Sequence, residues 1–561
     1  MVNKVPKFSV SQHKQQRNAF DLSQAHLIQA APGLLLPVLS LNLIPDDDIT
    51  INVEDFVKSM PIVQAPMCSA RGVYEFFFVP YHQIWHNFDQ FITQMNDYRS
   101  SLFATPNPPS YLPQFGTRTH SIGGKSVTTH VGSPLDLSQV TNFPNQTIKI
   151  QLSYLYDLLG YCPFLDANGS PLNLNVSGSA FGANSLPDYA PNFFKLCAYE
   201  KIYQDYYRKT SYEAFDVTSY SLDSVPSNEW FFSRSIHLRN YGLDLLTNVR
   251  PSASLNVNNQ KVFRNIVPSM FGTDNYGDLP ANYNGLPTSD KDTNTTGLAF
   301  YGSGGNTTLS VSSIRAAFAL DKLSQIIGRA EKDYKSQMQA VYGTNVTMGR
   351  DGKCIFIDGF SSDISFGEVD NTNGDSYAGS YSTYGKVFGN GNGSIHFKSP
   401  EFGVLMCIYS IIPFVPYDST RVDAFNTKHV YHDYFNPLYQ RLGLQPLYKY
   451  QISATSIGDE NPMTSAFGWQ PRYSEYKTAI DENHGSFVNK GPLSSFTASR
   501  TRGNSYGNGL RLADLKISPN VFDSIFTANY DGTLNSYPFM NKISFNIVKV
   551  SSMDTDSLPL I

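Results

Sequence analysis

The stretch Leu36–Met95 constrains the fold more than any other part of the chain. Leu39, Leu41 and Leu43 alternate with Ser40 and Asn42. After the turn sequence Pro45–Asp48 the alternation resumes, with Ile49, Ile51 and Val53 set against Thr50 and Asn52. A period of two puts the apolar side chains on one face of an extended chain, so these are half-buried strands. Val73–Val79 is almost wholly aromatic or β-branched, which suits a strand covered on both faces. After Pro80 the period becomes helical, and Ile84, Trp85, Phe88, Phe91, Ile92 and Met95 share a stripe. The spacing predicts several strands, the last running into an amphipathic helix.

Further strands are expected at Phe402–Phe414, a short apolar run, and at Ile543–Ile547, where Ser544 and Asn546 alternate with apolar residues. Helical pieces are expected over Ile148–Leu159, Lys195–Arg208, Arg239–Val249, Ser312–Val341 and Pro519–Thr527. Between them lie tracts dense in Gly, Asn, Ser and Pro: 102–145, with a short strand near Ser126–Val131, then 163–193, 251–310 and 366–397. Strands at both ends and in the middle, joined by very long connections, argue an antiparallel sandwich or jelly roll rather than repeated βαβ units. Residues 1–561 read as one mainly β domain with insertions. It carries a basic arm at 1–20, a principal surface excursion at 251–310 and lesser loops at 163–193 and 366–397.

Composition narrows the function classes. Charged residues make up 16% of the chain, against a usual value of about 25%, whereas Tyr, Phe and Trp number 35, 38 and 3. Such a chain either has a Tyr- and Phe-rich β core or shares much of its surface with partners, because interface cores are rich in aromatics and poor in Lys, Glu and Asp. A net charge of −5 and a pI of about 6.1 do not mark the whole chain as a nucleic-acid binder. Basic residues are nonetheless clustered. Lys4, Lys7, Lys14 and Arg17 lie in an arm without an acid. Arg500, Arg502, Arg511 and Lys516 accompany one acid, Asp514, with Phe496 and Tyr506 interleaved. Segments like these suit phosphates and stacked bases, or are an ordinary solvated terminus and loop. Cys68, Cys162, Cys197, Cys354 and Cys407 are odd in number and show no metal spacing, as reduced thiols of a protein made in a cytoplasm would. No secretory leader is legible. The most apolar run, Val404–Val415, falls short of the roughly 20 residues of a membrane span.

No motif assembles an active site. His82 and His86 have the spacing of a zinc-binding helix, but Gln83 stands where the HExxH pattern has its glutamate, and a solvated pair is the plainer reading. His429, His432 and Asp433 form a weaker cluster. Gly124-Lys125-Ser126 ends like a phosphate loop, yet Thr119 occupies the position of the required glycine. Gly389–Gly393 reads as a loop. The carboxylates of Asp46–Asp48 can take a calcium ion but sit in turn chemistry, so no cofactor is expected. Catalysis is not expected either.

Five segments carry a resemblance. They are EFFFVPYHQIWHNFDQFITQ at 75–94, CAYEKIYQDYYR at 197–208, YGLDLLTNVRP at 241–251, IRAAFALDKL at 314–323 and FGWQPRYSEY at 467–476. In this order they resemble blocks of the major capsid protein of the microviruses, the small icosahedral single-stranded DNA phages, and most closely its gokushovirus-like branch. The last block, similar to FGYQxRYxEYK, is the most specific. His82 and Gln83 depart from the Arg and Leu common in the family. The resemblance implies an eight-stranded antiparallel jelly roll of viral coat type with long helix- and loop-containing insertions. It implies sixty copies in a T=1 icosahedral shell around circular single-stranded DNA. The implied partners are a small basic DNA-condensing phage protein, scaffold and pilot proteins, and a host surface receptor. The implied location is the virion, assembled in the bacterial host cytoplasm. A long insertion forms protrusions in the gokushovirus-like branch, and 251–310 is its candidate here. On this reading Lys4, Lys7, Lys14, Arg17, Arg500, Arg502 and Arg511 face the DNA. The alternative is a secreted or surface β-rich carbohydrate-binding or adhesive protein. A glycosidase would need paired carboxylates across a cleft, to which nothing points.

Overall fold

The computed structural model describes residues 17–62, 66–93, 118–122, 125–129, 146–161, 192–210, 212–223, 234–250, 334–343, 352–367, 386–419, 421–440, 444–452, 466–488, 491–500, 515–526 and 529–553, with a few single positions besides. In chain order the first strands are β1 (Asn18–Asp21), β2 (Gln24–Ala30), β3 (Leu36–Leu43), β4 (Asp48–Ser59), β5 (Ser69–Pro80), β6 (Arg118–Ile122) and β7 (Lys125–Thr129). The rest are β8 (Ile355–Gly367), β9 (Lys386–Lys398), β10 (Gly403–Phe414), β11 (Tyr417–Asp418), β12 (Leu444–Tyr448), β13 (Ala466–Pro471), β14 (Glu482–Asn483) and β15 (Phe539–Ser551).

One nine-stranded sheet dominates, in the order β1-β15-β4-β9-β8-β5-β10-β3, with β2 following β1 along the same edge of β15. Its ladders are antiparallel, and neighbours are remote in sequence: β15 pairs with β4, and β10 pairs with both β5 and β3. This is a mainly β fold consistent with the jelly-roll type expected from the alternating segments. The ribbon turns at β8–β9, joined only by Ile364–Gly367 against Lys386–Gly389. Its two halves meet through side chains. The rings of Phe78 on β5 and Phe397 on β9 lie 5.1 Å apart. Ile51, Val53, Phe545 and Ile547 from one half share a single core with Phe76, Phe78, Leu405 and Cys407 from the other.

Asp55 is buried within that core. It accepts hydrogen bonds from Tyr74 Oη and Ser362 Oγ, both at 2.9 Å. Burial pushes its carboxyl above the usual carboxylate range, although Ser362 and Tyr74 favour the charged form. A raised folded-state value means that the folded protein keeps a proton the unfolded chain has released. This contribution to stability is present below the unfolded-state value and is lost as pH rises through the raised one. Asp55→Asn is expected to abolish it. The urea midpoint of the variant relative to the parent should therefore climb across that acidic window and level off above it. A difference independent of pH would show that Asp55 does not titrate in the folded core.

The Gly389–Gly393 tract, expected to be a loop, is part of strand β9. A Cβ on Gly393 would lie 2.3 Å from the Phe360 ring, and one on Gly391 would lie 2.3 Å from Ser362 Cβ. Glycine is what lets β9 run beneath these β8 side chains. The single helix expected after Pro80 is instead two short ones, Tyr81–Ile84 and Phe88–Thr93, separated by the extended Trp85. The Ile84 carbonyl accepts from Leu222 N, and His86 N donates to the Asp223 carboxylate, so the helical ladder is diverted to a distant segment. Arg239–Val249 is not helical. Arg239 and Tyr241 are bonded through their backbones to Leu515 and Ile517. Within the stretch Pro519–Thr527 the described residues, up to Phe526, form turns: Asp523 N donates to the Asn520 carbonyl, and Ile525 N and Phe526 N donate to that of Phe522. Tyr334–Tyr342 is helical, as expected for the end of Ser312–Val341.

The sheet's two outer faces differ. On β4 the residues alternate buried and exposed, leaving Asn52, Glu54, Phe56 and Lys58 in the open. On β5 every residue from Phe76 to Pro80 is buried. The cover over β5 and β10 includes the helix Phe194–Ile202 and its continuation as a π-helical turn, Tyr203–Tyr207. Phe77 packs its ring 5.0 Å from that of Tyr206. A satellite unit with its own small core of Leu246, Val249, Tyr417, Leu447, Ile452 and Phe467 is built mostly from the long β10–β15 connection.

Candidate functional site

The helix Phe194–Ile202 is buried on nearly every side, including Glu200 and Lys201. Its ionised groups are answered locally. Lys201 Nζ donates to Asp205 at 3.0 Å and to the Gly352 carbonyl at 2.7 Å, and Asp205 also accepts from Cys354 N. His237 Nε2 lies 2.9 Å from Glu200. Lys516 donates to Glu213 at 2.9 Å and to Tyr203 Oη at 2.8 Å. Arg239 spans to the sheet, donating to both oxygens of Glu75 on β5 at 2.7 and 3.0 Å and to Ser410 Oγ on β10 at 2.8 Å. Buried charges need such partners. The lattice fastens the covering layer to the sheet and does not set a nucleophile beside a base.

Burial pushes the Cys68 thiol up to about 12 and also raises those of Cys197, Cys354 and Cys407, which disfavours the thiolate that attack requires. Cys162 lies outside the described residues. Among the described residues no group of three or more His, Cys, Asp or Glu side chains is placed to hold a metal ion. The turn carboxylates considered for calcium diverge instead. Asp46 pairs with Lys398 at 2.5 Å and Arg17 at 3.1 Å, Asp47 with Lys549 at 3.2 Å, and Asp48 with His396 at 2.6 Å. His82 pairs with Glu401 at 2.7 Å, and the break at Trp85 takes His86 off the same helix. The Asp433 carboxylate accepts from His429 N and Val430 N as a turn cap. A depression of about 350 Å³ on the open sheet face has one carboxylate among its lining residues, Glu54, so it offers no acid pair.

Of the seven basic residues read as DNA-facing, Arg17 and Arg500 are described. Lys4, Lys7, Lys14, Arg502 and Arg511 lie outside the described residues. Arg17 sits at the edge of the roll, donating to the Asp46 carbonyl and pairing with its carboxylate. Arg500 is buried in the satellite unit. It donates to Asp244 at 3.0 Å and Tyr417 Oη at 2.5 Å, and its guanidinium lies 3.5 Å from the Tyr241 ring centroid. Arg500, expected to meet DNA, pairs with Asp244 inside the chain. The surface of Val422–Tyr439 carries no motif that marks it in the sequence. Its signal was Val430, Tyr434, Phe435 and Leu438 recurring without the period of a helix or a strand.

The family model for the capsid protein (F protein) matches residues 9–133 and 183–559. The chain belongs to the capsid protein (F protein) family. It is similar to capsid protein VP1 of Chlamydia phage 1, with 22% identity over 508 residues, 82% of this chain and 83% of the relative. The resemblance to the microvirus major capsid protein therefore holds. Capsid proteins of this family are structural proteins of the virion and not enzymes, which agrees with an ionic lattice serving the fold. Among the described residues no helix is long and apolar enough to cross a membrane.

Proposed function

We propose that this capsid protein is the coat subunit of a T=1 icosahedral particle, sixty copies enclosing a circular single-stranded DNA genome. The observation that carries the reading is the family match over most of the chain, joined to a roll whose long connections build a covering layer and a satellite unit. A coat subunit needs several contact surfaces and no active site. The insertion 251–310 is its outer protrusion and the host-contacting element, with 163–193 and the 366–397 tract up to β9 as smaller loops. The genome is met by Lys4, Lys7, Lys14, Arg502 and Arg511, assisted by a small basic phage protein. Arg17, paired with Asp46 at the edge of the roll, and Arg500, paired with Asp244, are the weaker members of the set.

Sedimentation with electron microscopy tests the reading. A single chain of 62.5 kDa and a shell of roughly 3.8 MDa cannot be confused. Closed particles, alone or with circular single-stranded DNA and the phage scaffold, are the expected result. Failure to close with all of them would sink the coat reading. Replacing the five basic residues with Ala should weaken DNA binding and flatten its salt dependence, since fewer counterions are released. An unchanged salt slope would remove them from the DNA-facing surface.

A further inference from the structure

One face of the satellite unit is built from an irregular segment. The segment 421–439 contains no strand, only the short 3-10 turns Ala424–Thr427 and Tyr431–Asp433. Polar staples nevertheless hold it in one shape. Asp423 accepts from Phe425 N at 2.7 Å, Asp433 from Val430 N at 3.1 Å, and the Asn436 side chain from Leu438 N at 2.9 Å. Lys428 anchors it to the 473–476 turn. Its ammonium donates to Glu475 at 2.7 Å and lies 5.0, 5.9 and 4.5 Å from the ring centroids of Phe425, Tyr434 and Tyr476.

What this frame displays is apolar. Leu438 is 82% exposed, Tyr434 51%, Phe435 48%, Val430 and Tyr476 44% each, and Phe425 42%. The cations of the segment are turned inward and paired, Lys428 with Glu475 and Arg421 with Glu482. An exposed apolar patch beyond a few hundred Å² marks an interaction site. Aromatics with little free charge are the composition of a protein interface core, whereas a phosphate backbone would call for free Lys and Arg. A shape fixed before contact also lowers the ordering cost of binding.

We infer that this aromatic face is a contact between copies of this chain, its occupant the surface of a second copy. The inference rests on the coat reading, which brings many copies together. The chain's own composition, 16% charged and 14% aromatic, supplies a surface matching a neutral aromatic face. A stable protein contact needs about 800 Å² per partner, and Phe425, Tyr434 and Tyr476, gathered around Lys428, form the centre of this face.

The test is Tyr434→Ser combined with Leu438→Glu in the full chain, followed by sedimentation over a concentration series with and without single-stranded DNA. Both side chains are exposed, so the unfolding midpoint of the isolated chain should not move. Self-association is expected to weaken at least tenfold, and Leu438→Met alone should retain it. Parent-like association by the double variant overturns the inference. So does a parent chain that stays at 62.5 kDa throughout, because this face is complete in the free subunit. Normal particles of the variant that lose attachment to cells would assign the face to the host instead. Where particles still close the coat reading stands, whereas a parent chain that never closes with DNA and scaffold fails both.

Discussion

Gly33→Ala is expected to lower stability by about 3 kcal/mol, combining the cost of a left-handed residue, about 1–2 kcal/mol, with that of overpacking, about 1–3 kcal/mol. Gly33 has φ +76, and a Cβ there would lie 2.6 Å from both Cβ and the carbonyl oxygen of Ile517. Backbone atoms cannot swing aside as the end of a side chain can. The surroundings are fixed as well: Gly33 N donates to the Ile411 carbonyl on β10, Arg239 N donates to the Gly33 carbonyl, and Ile517 N donates to the Arg239 carbonyl. Four separate stretches of chain therefore meet around one missing methyl group. Gly352→Ala is the control. Its φ is +65, but nothing lies within 4 Å of the added atom, so only backbone strain of about 1 kcal/mol is expected. Denaturant midpoints of the two variants measure the difference. Equal losses would show that the crossing at Gly33 relaxes.

Arg239→Ala is expected to cost about 3 kcal/mol, the lower end for breaking a buried ion pair, because both side chains keep 18–19% exposure. The loss comes from leaving the Glu75 carboxylate without its two-pronged partner beneath the covering layer. Tyr207 Oη also donates to Glu75, so one hydrogen bond remains. Replacing both members, as Arg239→Met with Glu75→Leu, should recover most of the loss, since well-packed apolar residues often equal a buried pair. If the double variant is as unstable as Arg239→Ala, the pair with Glu75 is not what matters, and Arg239 acts through its guanidinium over the Tyr207 ring, 5.5 Å away.

How much of this was legible depended on whether the deciding partner was near in sequence. Ile49, Ile51 and Val53 announced β4 because alternation is a local property of a half-buried strand. β9 gave no such sign, because its glycines answer to Phe360 and Ser362 on another strand. The helical stripe after Pro80 was real, but Leu222 and Asp223 capture the backbone at Ile84 and His86. Arg500 looked like a solvated cation because Asp244, which neutralises it, lies 256 residues earlier. The absence of catalytic motifs was readable directly. The aromatic face was not, since its residues follow the turns of an irregular segment pinned by Lys428 and Glu475.

The position of β15 bears on how the subunit is made. This strand lies between β1 and β2 on one edge and β4 on the other, yet nearly all of the described chain separates it from them. Loop closure over such a span is slow, and the sheet stays split until this strand emerges from the ribosome. Val53 and Ile51 would lack their β15 neighbours Phe545 and Ile547 until then. The roll therefore cannot close before β15 has been made, and chains terminated ahead of it are left with an open seam. Quality control is written into the topology: a polypeptide cut short before Phe539 cannot complete the roll from which a shell would be built.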